Sequence, residues 1–154
     1  MQRNILIASR LREVLLSGQW IANTNYKAQI QSVDWQLATQ KIHDLNTIAA
    51  LTYHINYYLE GLLSALETGK LEISDKYSFD LPPITSAQEW QNLVEAFLRN
   101  AEKFADKVEQ MDDKALDEPF INPQYGTLLR NLEGVIEHSY YHLGQISLIR
   151  KMLT

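Results

Sequence analysis

Cysteine is missing altogether from the 154 residues, so this chain has no disulfide, thiolate metal site or cysteine nucleophile. That composition suits a reducing compartment, and a cytoplasmic protein is the expectation. No apolar stretch nears the ~20 residues a membrane-spanning helix requires, so no membrane partner is expected. The opening M-Q-R-N-I-L-I-A-S-R-L-R-E-V spreads its charges through the segment and not ahead of an apolar block. It reads as an amphipathic helix, not a signal peptide. Positive charge is scarce too: 14 Lys and Arg stand against 19 Asp and Glu, for a formal net charge of −5. Such a chain offers no basic face to a phosphate backbone, and nucleic acid is not expected as a partner.

What is present is enough apolar material for one core. Hydrophobic residues make up 45% of a length that fits a single domain, taken here as 1–154. Apolar residues recur at helical spacing in four segments, roughly 2–17, 46–68, 86–111 and 125–152. Ser17-Gly18 ends the first. Asn46 is the expected N-cap of the second and Gly69 its stop. The third carries Trp90, Leu93, Val94, Phe97, Ala101, Phe104 and Val108 in one stripe, with Ser86 and Glu89 spaced as a capping box. The fourth runs Leu128, Leu132, Val135, Ser139, His142, Ile146, Ile149 and Leu153. Residues 18–45, 70–85 and 112–124 connect them, with a short helix expected near Asp34–Lys41. Connections of that length permit crossovers, and the expected fold is an all-α four-helix bundle with long inter-helix connections.

Four histidines occur, and their placement is uneven. His138 and His142 stand four apart in H-S-Y-Y-H-L-G-Q-I, so both rings project from one side of the fourth helix, close enough to share an ion. Two buried, hydrogen-bonded histidines would show the same spacing. His54 lies beside the Leu51/Ile55/Tyr58 stripe, about 12 Å along the axis from the start of its helix. His142 and His138 lie about 15–21 Å from the end of theirs. In antiparallel helices the three rings come level, and three neutral imidazoles leave coordination positions open. His43 lacks such a partner and reads as an ordinary polar residue. Gly61, Gly134 and Gly144 either hollow out a space near the rings or allow close helix packing. Tyr58, Tyr141 and Gln145 are candidates for pocket walls or for hydrogen bonds to the rings; as rim residues they would simply meet water.

The chain resembles the DinB-like superfamily of metal-binding four-helix bundles. The resemblance rests on N-T-I-A-A-L-T-Y-H-I-N-Y-Y at 46–58 and L-E-G-V-I-E-H-S-Y-Y-H-L-G-Q-I at 132–146, with lesser support from S-G-Q-W-I-A-N-T-N at 17–25. It implies an up-down-down-up arrangement, a divalent metal, commonly nickel or zinc, on His54, His138 and His142, and a homodimer. It also implies chemistry on a small molecule, since characterised relatives include transferases and isomerases that use low-molecular-weight thiols. No substrate follows from it. There is no Ser–His–Asp arrangement and no H-E-x-x-H, because Ser139 follows His138 where that motif needs glutamate. No catalytic residue is therefore assigned. Any activation falls to the metal, as transferase or hydrolase chemistry, and the alternative is a non-catalytic, ligand-binding bundle with a stress-related role.

Overall fold

The computed structural model describes residues 2–154, which form α1 (Arg3–Arg12), α2 (Tyr26–Gln31), α3 (Trp35–Thr39), α4 (Ile48–Thr68), α5 (Ala87–Gln110) and α6 (Leu128–Leu153). No β-strand occurs among the described residues. The three longest helices each begin where a side-chain oxygen accepts from a first-turn N–H: Thr47 from Ala50, Ser86 from Glu89 and Thr127 from Arg130. The cap of α4 is thus Thr47 and not Asn46, because the extended backbone at Thr47 aims its hydroxyl at Ala50 N. The last helix starts at Leu128 and not near 125, since Pro123–Tyr125 form a separate 3₁₀ turn closed by Gly126 at φ 78°. Gly69, left-handed at φ 74°, ends α4 with its N–H on Ala65 O.

The first segment is not α-helical throughout. After Arg12 it widens into a π turn over Glu13–Ser17, in which Gly18 N–H donates to Glu13 O at 3.0 Å. A Cβ on Gly18 would overlap the Glu13 side chain, so close approach demands a glycine there.

Contacts along the helices set their directions. Arg3 pairs with Asp113 and Asp117 just beyond the end of α5, while Arg12 pairs with Asp106 and Glu109 within it, so α1 and α5 are antiparallel. Helices α4 and α5 are parallel: Asn100 Nδ2 donates to Asn56 Oδ1 at 2.9 Å, Tyr53 lies by Leu93, and Leu66 lies by Phe104. Helices α4 and α6 are antiparallel, with Leu51 near Ile149 and Leu66 near Leu128. The wiring is up-down-down-up.

One core joins these helices, built on Leu11, Ile55, Leu59, Phe97, Phe104 and Ile136, all at most 2% exposed. Burial of each such side chain is worth roughly 1.5–3 kcal/mol. In α4 Leu51, Ile55, Leu59 and Leu63 are buried, with Tyr58, Leu62 and Leu66 half-buried on their flank; in α6 Ile136 is buried and Val135 only half-buried. The 18–45 connection is packed too. Tyr26 is buried and stacked on Phe97, and Trp90 Nε1–H donates to Val33 O at 3.0 Å. Among the described residues no helix is long and apolar enough to cross a membrane.

Candidate metal centre

Helix α4 turns His54 inward between Leu51 and Ile55, and α6 turns His138 and His142 toward it from the antiparallel neighbour. His54 and His142 are 6% and 7% exposed, and His138 is half-buried. The three Nε2 atoms converge: His138 Nε2 lies 3.2 Å from that of His54 and 3.0 Å from that of His142. The rings stand nearly perpendicular to one another, with centroids 4.6–5.0 Å apart. Candidate ligand atoms of all three lie within 4.8 Å of one another. His43 is exposed, at φ 47°, and has no part in the cluster.

Each inner ring is held by its other nitrogen. His54 Nδ1–H donates to Ser78 O at 3.2 Å, and Phe79 stacks on the same ring at 4.0 Å and 8°. His142 Nδ1–H donates to Gln145 Oε1 at 2.6 Å. Tyr58 sets its ring edge against His54 and His138, and its hydroxyl donates to Asp75 Oδ1 at 2.7 Å. Burial, and then that carboxylate, push the Tyr58 hydroxyl up to about 12. Tyr141 lies 4.8 Å from the His142 ring but is 65% exposed, so it forms an outer wall at most. Asp75, Ser78 and Phe79 escaped the sequence reading. They sit in a connection without periodicity, where nothing distinguishes D-K-Y-S-F from ordinary loop composition.

The chemistry of this donor set fits a divalent cation. Carbonyl oxygens only accept, so the His54 and His142 protons reside on Nδ1, and both Nε2 atoms point bare lone pairs at the shared point. A proton on His138 Nε2 would serve one of them and leave the other opposed. Protonating the cluster instead is resisted: burial first, then the charges of His142 and His138, lower His54 to about 4. Burial followed by the His142 charge lowers His138 as well. Imidazoles bound tetrahedrally at about 2.0–2.1 Å stand about 3.3 Å apart, close to the spacing seen here.

A cavity of about 390 Å³ opens beside His138 between α4 and α6. Ile55, Leu59, Leu62 and Val135 give it aliphatic walls. Of the three helix glycines, only Gly134 lines it, and a Cβ there would meet nothing within 4 Å. At Gly61 a Cβ would overlap Ile73, so that glycine serves packing, and Gly144 faces a different part of the surface.

Fold and cluster together define an all-α bundle protein with a three-histidine site suited to a divalent metal ion. No curated protein and no solved structure matches the chain. A family model described as the DinB superfamily matches residues 31–146, a span that holds all three histidines. The chain belongs to the DinB superfamily.

Proposed function

We propose that this protein holds a divalent ion, nickel or zinc, on Nε2 of His54, His138 and His142, and uses it on a small molecule bound in the adjacent cavity. The supporting observation is the convergence of ring nitrogens whose protons are committed elsewhere. Imidazole donors suit either metal. A low-molecular-weight thiol is the substrate class that the family resemblance suggests, with thiol transfer or hydrolysis as the reaction. When bound, such an ion lowers the pKa of a thiol or water and polarises a substrate oxygen. The chain's own residues prepare the site. Ser78 O and Gln145 Oε1 fix the tautomers, Phe79 shields His54, and the aliphatic walls offer an apolar surface to the small molecule. Tyr58 keeps its proton toward Asp75 near neutral pH and acts as a neutral polar group, not a phenolate. The exposed Tyr141, Leu148 and Met152 along α6 support assembly as a homodimer. Binding without turnover is the second reading, favoured by the lack of any carboxylate among the residues described as lining the cavity.

Elemental analysis of untagged protein tests the metal. About one equivalent of nickel or zinc per chain is expected, with His142→Ala losing it while remaining helical. Equal metal affinity in that variant would overturn the reading.

A further inference from the structure

The cavity beside His138 is chemically lopsided. One end is bounded by His138 of the histidine cluster, its walls are aliphatic, and toward the start of α6 it is bounded by Arg130, the one cationic side chain lining it among the described residues. Asn131, the neighbour on that rim, donates from Nδ2 to Tyr125 O and Thr127 O, so its amide protons are already committed.

Gly134 bears on the same point. No positive φ and no packing contact requires a glycine there, and glycine weakens a helix interior. What its missing side chain provides is room. Arg130, Gly134 and Glu137 share one helix face by their spacing, and the Arg130 guanidinium reaches along it to Glu137 at 3.1 Å. The cation therefore runs past the gap at Gly134, along the mouth of the cavity. Ser139 backs the cavity wall but is wholly buried, so its unpartnered Oγ is closed off from the open space.

Resting on the metal reading above, we propose that the cavity selects an anionic ligand. Its donor atom faces the histidine cluster, an apolar chain follows the aliphatic walls, and a terminal carboxylate pairs with Arg130. Arg130 precedes His138 by eight residues, about 12 Å of helix, and its side chain reaches back toward His138, so the ligand spans less than that. No acidic side chain among those lining the cavity opposes the charge; Glu137, outside it, engages Arg130 through Nη1 and shares its charge, so a ligand carboxylate meets the guanidinium at Nη2 and Nε in competition with Glu137.

Titration calorimetry on the zinc-loaded full chain tests this with ω-mercaptohexanoate and its neutral counterpart ω-mercaptohexanol. The acid should bind about fivefold more tightly than the alcohol. Arg130→Gln should erase that preference without changing zinc content, and Glu137→Gln, which frees the guanidinium, should enlarge it. Gly134→Leu should block both probes while zinc content and helicity stay as in the parent. Equal binding of acid and alcohol, no binding of either, or a preference that survives Arg130→Gln would overturn the assignment. Zinc content is read separately by elemental analysis. If the chain holds no zinc, the metal reading fails alone, and hexanoate against hexanol decides the cavity. A preference for hexanoate that depends on Arg130 upholds the assignment, and its lack ends it.

Discussion

Gln145 shows what spacing could not. Four-residue spacing brings the His138 and His142 rings together, yet a ring is a useful donor only if its lone pair faces inward. Gln145 Oε1, by accepting the Nδ1 proton of His142, puts the lone pair on Nε2. Gln145→Leu should therefore weaken zinc binding by about 10–100-fold, measured by competition with a chelating dye, while His43→Ala should leave it unchanged. Ser139→Ala should be neutral or stabilising in the ligand-free protein by urea unfolding, since the hydroxyl it removes is buried without a partner. A clear loss of stability would mean that the hydroxyl is hydrogen-bonded after all. The histidines themselves were legible in the sequence because each lies on or beside an apolar row. Ser78 and Phe79 were not: one contributes a backbone carbonyl, which every residue has, and the other a ring in an aperiodic loop.

The long helices were legible for the same reason as the histidines. The stripe Trp90–Leu93–Val94–Phe97–Ala101–Phe104–Val108 has one reading, and six of its seven residues are buried, with Leu93 half-buried at its edge. Boundaries were less so, because Asn46 and Thr47 are both competent caps and only the backbone conformation chooses between them. The π turn at Glu13–Ser17 left no trace in the apolar pattern, and its glycine looked like a plain stop signal. Helix glycines were ambiguous for a deeper reason: a missing side chain records either a neighbour that is too close or a space kept open. The structure separates the two, and stability measurements should follow. Gly134→Ala should stabilise the protein by roughly 0.5–1 kcal/mol, since the added methyl meets nothing. Gly61→Ala should destabilise it, because the methyl enters the space of Ile73. Urea midpoints that shifted the same way for both would contradict this assignment.

The cluster also links the fold as a whole to pH. In the metal-free protein His54 titrates at about 4, against 6.5 for an unperturbed imidazole. His138 is shifted the same way by burial and by the His142 charge. As pH falls below 6.5, the unfolded chain takes up these protons before the folded one does. Stability is therefore fully present above 6.5 and is lost as pH falls toward 4, by on the order of 2 kcal/mol once solvent screening is allowed for. Lowered carboxyls act in a different window. Asp117, held down by its Arg3 hydrogen bond, and Glu89, held down by Thr85, lose their contributions only below their ordinary values of 3.8 and 4.5. A series of urea unfolding curves from pH 7.5 to 4.5 thus isolates the histidines, and His54→Gln should flatten the slope. Zinc should steepen it, because the ion binds neutral rings and only the folded chain presents them together. The thermal shift produced by zinc at pH 7.5 should accordingly vanish by about pH 5. A shift that survived there undiminished would require ligands other than imidazole, and the three-ring centre would not be the place where the metal sits.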